Sequence, residues 1–281
     1  TPFGKLADTT GRRRVLIIGV AGFGLVSVIT VFAFNSAMLL ALRVLQGLTA
    51  AMIFATNMPI AISAFPGKER GKAIGLVTSG TYTGLAMGPV LGGVLNNWFG
   101  WKAIFIFGAV VSVVAFLFVL KGLSKDAVEK PDLKQDITGN VIYVFMIASF
   151  IYGLTAFNSI KFGWAFIAIA LVLGFAFVKT ELANDNPMID VRIFASNRTY
   201  TLSNLTALFN YSATFALSYL VSIYMQVVSG FSSQTAGFVL ITQPLFMAIL
   251  SPRMGRLSDK VAPYKLASFG MGLCALSLLF F

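Results

Sequence analysis

Apolar stretches without acidic or basic residues alternate along this chain with short polar connections. Nine stretches stand out: 15–34, 38–65, 73–95, 103–120, 139–157, 162–178, 199–228, 235–251 and 266–281. A helix rises about 1.5 Å per residue, so about 20 residues cross the ~30 Å hydrocarbon core of a bilayer. The stretches are of that order of length and predict membrane-spanning helices. Their apolarity is continuous rather than alternating every second residue, which excludes the strands of a membrane barrel. Arg43 is the one charged residue inside a stretch.

Composition supports this reading. Of 281 residues, 57% are hydrophobic and 11% charged, against roughly 45–50% and about 25% in water-soluble domains. Mean hydropathy is +0.85. The net charge of +11 would suit a nucleic-acid binder until the basic residues are placed. If the connections alternate sides and the N-terminal segment is inside, 18 of the 21 Lys and Arg fall inside. Only Lys102 and Lys161 fall outside. This is the positive-inside bias of a multi-pass protein of the cell membrane. It places the N-terminal end in the cytoplasm and accounts for the charge without nucleic acid. The chain has no His and a single Cys, Cys274. Disulfide frameworks, His or Cys metal sites and Cys–His catalysis are excluded, and no cofactor or metal is expected. The chain starts at Thr1 and ends within an apolar run, and it is read as an internal piece of a longer protein.

Two inner connections are long. The first, 121–138, carries Lys and acidic residues in near balance and reads as a solvated linker. The second, 179–198, mixes apolar and charged residues from Pro187 to Phe194. It is either a short helix on the membrane surface or an irregular loop.

Three motifs carry chemistry. Gly4, Lys5, Leu6, Ala7 and Asp8, followed by Gly11 and Arg12 to Arg14, precede the first stretch. Alone this is either a basic topology signal or a cluster suited to latching helix ends. The pattern G-[KR]-L-x-D returns at Gly255 to Asp259, again on the inner side, and indicates two halves of the same orientation. At this point the chain resembles the major facilitator superfamily, whose signature loop joins the second and third helices of each half. That resemblance implies two helices before Thr1. Two stretches are then left between the halves, as in the fourteen-helix branch, which is similar to drug:proton antiporters. Gly4, Asp8, Gly11, Arg12, Arg13 and Asp259 become a cytoplasmic gating loop.

Arg43, Gln46, Gly47, Ala50, Phe54 and Asn57 share one helical face. Arg43 either snorkels outward or faces the bundle interior. Its R-x-x-Q-G pattern resembles the family's fourth-helix motif, which assigns Arg43 and Gln46 to proton coupling. In the third stretch Gly80, Gly84, Gly88 and Gly92 form one smooth face for close helix contact, next to Pro89 and Gly93. The G-P-x-x-G-G ending looks like the antiporter motif of exporter branches. Gly19, Gly22 and Gly24 read as packing residues, since no strand precedes them as a nucleotide loop requires.

In the stretch 199–228, Asn204, Tyr211, Phe215, Ser218, Ser222 and Gln226 share a face. Polar groups avoid lipid, so this face meets either other helices or a wet cavity. Gln243 beside Pro244 is a second cavity candidate, and Phe54, Asn57 and Phe215 complete the set. All ten acidic residues fall in inner connections. Related antiporters carry their titratable acid in the first helix, so these 281 residues alone are expected not to couple protons.

The sequence therefore predicts an all-α polytopic membrane helix bundle of the major facilitator type, with about nine transmembrane helices. Residues 1–120 would be the rest of the N-terminal bundle, 121–138 a linker and 139–178 two extra central helices. Residues 179–198 would be a second linker and 199–281 the start of the C-terminal bundle. The expected function is export of drugs or other small amphipathic molecules in exchange for protons, by alternating access, with no enzymatic activity. Expected partners are that small molecule, protons and the lipid bilayer, with no nucleic acid and no required protein. The alternatives are a nutrient or metabolite permease and a non-transporting membrane sensor or anchor.

Overall fold

The computed structural model describes residues 2–123, 136–157 and 163–279, and all regular structure among them is helical. The helices are α1 (Pro2–Thr10), α2 (Arg12–Thr30), α3 (Ser36–Ser63), α4 (Arg70–Phe99), α5 (Lys102–Gly122) and α6 (Ile137–Ala156). They continue as α7 (Gly163–Ala183), α8 (Arg192–Ser196), α9 (Arg198–Ile223), α10 (Ser233–Ser258) and α11 (Pro263–Leu279). A wide helical turn, Tyr224–Val228, extends α9. The body of every apolar stretch lies in one of these helices.

Among the described residues, seven helices are both long and apolar enough to cross a membrane: α2, α3, α5, α6, α7, α9 with its extension, and α10. With 30 residues α4 has the length, but its seven glycines and its Ser and Thr residues lower its apolarity. The 17 residues of α11 make it shorter. Large apolar side chains point outward: Phe118 is 73% exposed and Leu171 69%. Such a surface would drive aggregation in water, whereas acyl chains solvate it.

The helices fall into two compact units. In one, α6 and α7 pack together, with α1, α8 and the first turns of α9. Gly153 lets α6 approach Ile167 of α7, and rings pair at Tyr143–Phe177 (5.6 Å) and Tyr152–Phe166 (4.7 Å). Asp136 caps α6 by accepting the Gly139 N–H at 2.8 Å. Lys5 of α1 donates to the Asn186 carbonyl and, at 3.0 Å, to that of Pro187.

The other unit holds α2 to α5, the rest of α9, α10 and α11. Gly19 and Gly22 bring α2 against Thr49 and Met52 of α3. Gly24 meets Ser112 of α5, whose hydroxyl donates to the Val20 carbonyl at 2.6 Å. These three glycines do pack helices, as the sequence suggested.

One expectation is corrected. Asp8 and Glu181 do not sit in connections: Asp8 belongs to α1, and α7 continues past Val178 to bury Glu181, which is 1% exposed. The predicted span was cut at Lys179, which stays exposed, while the helix runs on far enough for Glu181 to be packed away. The second linker is irregular after α7 and becomes helical only at α8. Most of the first linker, 124–135, lies outside the described residues.

Candidate gate and transport site

The signature loop begins with a forced turn. Gly11 separates α1 from α2 at φ 105°, a left-handed conformation that suits glycine. Asp8 accepts from Arg12 Nε and Nη2, both at 3.0 Å, one turn along the chain. Arg13 donates to the Leu120 carbonyl at 3.2 Å, near the end of α5, where a cation complements the helix dipole. The arginines thus meet a carboxylate and a helix C-terminus. A side chain at Gly4 would meet nothing within 4 Å.

The repeated motif acts differently. Asp259, just after α10, accepts the Gly71 N–H on Oδ1 at 2.6 Å and the Lys72 N–H on Oδ2 at 2.9 Å. These belong to the first turn of α4, whose leading amides have no partner inside the helix. A carboxylate there satisfies two donors and meets the positive end of the dipole.

This contact closes a tight crossing of α4 and α10. A Cβ on Gly75 would lie 2.6 Å from the Ser251 carbonyl oxygen and 3.1 Å from the Gly255 Cα. A Cβ on Gly255 would lie 2.9 Å from the Gly75 Cα. One turn on, the Ser79 hydroxyl donates to the Ala248 carbonyl at 2.6 Å. Backbone meets backbone because neither helix carries bulk there. Farther along, a cleft of about 470 Å³ lies among Pro89, Gly93 and Asn97 of α4 and Gly237 and Ile241 of α10.

The sequence reading placed close helix contact at the glycine tetrad. At Gly80, Gly84, Gly88, Gly92 and Gly93 a Cβ would meet nothing within 4 Å. Contact falls at Gly71 and Gly75 instead, on another face of α4, where α10 crosses its first turns. Gly71, Gly75, Ser79, Ala248 and Ser251 were missed. Their signal was small residues every four positions, G-x-x-x-G-x-x-x-S from 71 to 79, disguised by the neighbouring charges Arg70 and Lys72.

Deeper in this unit Arg43 is turned toward other helices. Its guanidinium lies 4.9 Å from the Phe105 ring centroid of α5 and donates to Gln46 Oε1 at 3.3 Å. Buried Gln46 donates in turn to Ser27 of α2 at 2.8 Å. The relay Arg43–Gln46–Ser27 ties α3 to α2.

Among the cavity candidates, Ser218 donates to Gln243 Oε1 at 2.9 Å, joining α9 to α10. Tyr211 interacts with Tyr82 of α4. Asn204 and Gln226 bond to Tyr200 and Ser222 along their own helix. Phe54 and Phe215 are well exposed, and Asn57 is half-buried. Three helices therefore present Tyr82, Tyr211, Ser218 and Gln243 to one another. Tyr82 was not among the sequence candidates.

The family profile described as Major Facilitator Superfamily matches residues 1–281, and the chain belongs to that family of transporters. It is therefore a multi-pass membrane protein of a non-enzymatic class whose members bind small molecules within the membrane. The riboflavin transporter RibZ of Clostridioides difficile is 28% identical over 276 residues, which are 98% of this chain and 60% of the relative. The multidrug resistance protein Stp of Mycobacterium tuberculosis is 29% identical, covering 97% of this chain and 51% of the relative. The tetracenomycin C resistance and export protein of Streptomyces glaucescens is 27% identical, covering 98% and 52%. The chain thus spans about half the length of most curated relatives it matches. Several of them are resistance transporters, in keeping with a drug-antiporter type.

Proposed function

We propose that the chain is the central part of a secondary transporter that exports amphipathic small molecules in exchange for protons, by alternating access. The observation that carries this reading is the α4–α10 pair, locked at one end by Asp259 and parted at the other around the cleft beside Pro89. A pair of helices that is tight at one end and open at the other has the form of a gate between two halves. The locked end carries most of the basic residues and is assigned to the cytoplasm. On this reading residues 1–120 and 199–281 supply the two bundles, and 139–178 are two additional central helices. The resistance names of several relatives and the G-P-x-x-G-G ending favour export of drugs.

Asp8, Arg12 and Arg13 stiffen the signature loop, with Gly11 setting its turn. Tyr82, Tyr211, Ser218 and Gln243 are the polar groups offered to substrate, with Phe54, Asn57 and Phe215 as broader lining. Arg43, steadied by Gln46, responds to a carboxylic acid that gains or loses its proton nearby. Arg43→Ala in the full-length protein is expected to leave substrate binding within about twofold while removing the dependence of efflux on an imposed proton gradient. Efflux from proteoliposomes with and without that gradient is the measurement. An unchanged dependence removes Arg43 from coupling.

A second reading is favoured by one relative, which is named for riboflavin transport. A metabolite permease on this scaffold would move a single solute and give no resistance to several compounds.

A further inference from the structure

The α6–α7 unit holds two buried carboxyl groups to which the proposed function gives no role. Asp136, just before α6, is 6% exposed, and Glu181, in the last turn of α7, is 1% exposed. Each has one oxygen satisfied by backbone: Asp136 Oδ1 accepts from Gly139 N–H, and Glu181 Oε2 from Ile189 N–H, both at 2.8 Å. The other two oxygens, Asp136 Oδ2 and Glu181 Oε1, are buried and have no hydrogen-bond partner. They converge over Gly139, where any Cβ would strike both.

Two buried acceptors that face each other cannot satisfy one another. Buried polar atoms are almost always paired, and two like charges at such range disfavour joint ionisation. Something must donate between them. Among the described residues, the charged groups facing the pair do not. Lys5, on α1, acts on Glu181 through space, but its ammonium is bound to the Asn186 and Pro187 carbonyls. Lys179 and Asp185 line the open cleft on the outer side of Asp136. Arg192 is bound to the Leu182 carbonyl, and Asp190 accepts the Arg192 N–H.

We propose that Asp136 and Glu181 form a proton-binding site, in which a single proton bridges Asp136 Oδ2 and Glu181 Oε1. A proton supplies the missing donor with no change in heavy-atom positions. It enters from water through the open cleft that Asp136 borders, and no other reactant is needed. The bound proton fastens the start of α6 to the end of α7 and, through Ile189 and Lys5, to the following segment and α1. The proposal does not depend on the transport reading.

The test is infrared spectroscopy of the full-length protein, purified in lipid nanodiscs, through the carbonyl stretch of protonated carboxyl groups. Near pH 7 isolated carboxyls, with ordinary values of about 4, are ionised and silent in that region. The wild type is expected to show a carboxylic-acid band that exceeds that of the doubly substituted protein by one group per chain. Glu181→Gln and Asp136→Asn are each expected to lose that excess, because the remaining carboxylate then accepts from the new amide. If either single variant fails to fold, the doubly substituted protein, with two amides that can bond each other, still serves as the reference. Absence of the excess in the wild type, with or without stabilisation by added sodium ions, overturns the proposal. So does an excess that survives either single substitution.

Discussion

Gly75→Ala in the full-length protein is expected to lower transport about tenfold or more while leaving the amount of protein in the membrane within about twofold. The new methyl group would lie 2.6 Å from the Ser251 carbonyl oxygen and 3.1 Å from the Gly255 Cα, both backbone atoms. No side-chain rotation relieves that contact, so α4 and α10 must move apart. Overpacking of this kind costs typically 1–3 kcal/mol. Here the whole cost falls on the state in which the crossing is closed, and the balance between the two states shifts accordingly. Gly67→Ala, in the short turn before α4, is the matched control. A Cβ there meets nothing within 4 Å, and activity should stay within about twofold. Equal activity of the two variants would show that the crossing does not close during the cycle.

Asp259→Ala is expected to cost a similar factor by the opposite physics, removing an attraction instead of adding a repulsion. The side chain satisfies the Gly71 and Lys72 amides at 2.6 and 2.9 Å. Losing a cap typically costs about 0.5–2 kcal/mol, with more at stake when the cap is charged. Asp259→Asn keeps one acceptor oxygen but loses the charge, so its transport rate should fall between those of wild type and Asp259→Ala. Adding Asp259→Ala to Gly75→Ala should bring little further loss, because both act on one closed state. Full additivity of the two in transport rate would mean that they act on separate steps.

How much of this was readable beforehand depends on range. The spanning helices were legible because a charge-free apolar run has few other outcomes in lipid. Gly19, Gly22 and Gly24 were correctly read as packing residues because their partners follow on the next helices. The gate was legible only in part. The motif at Gly255 to Asp259 marks an acid beside a helix end, but its partner amides are 188 and 187 residues away. The tetrad Gly80, Gly84, Gly88 and Gly92 marks one smooth face of α4, yet α10 crosses on the other side, along Gly71, Gly75 and Ser79, and periodicity alone does not say which small-residue face a partner will take. Gly71 lies before the charged Lys72, where an apolar-run criterion sees a connection, and Gly75, although inside the stretch 73–95, falls outside the tetrad's spacing. Glu181 was misplaced for the same reason. A charge ended the predicted span, whereas backbone amides and close packing carry the helix onward.

The claim on which the account rests is that α4 and α10 part and close at the end marked by Asp259. Lys68, just before α4, and Lys260, just after α10, flank that crossing. Spin labels at these two positions, in an otherwise cysteine-free full-length protein in nanodiscs, read it directly by pulsed electron resonance. The account predicts two distances whose populations shift when substrate or proton concentration changes, with Gly75→Ala and Asp259→Ala both enriching the longer one. A single distance under every condition, in protein that still transports, would contradict it.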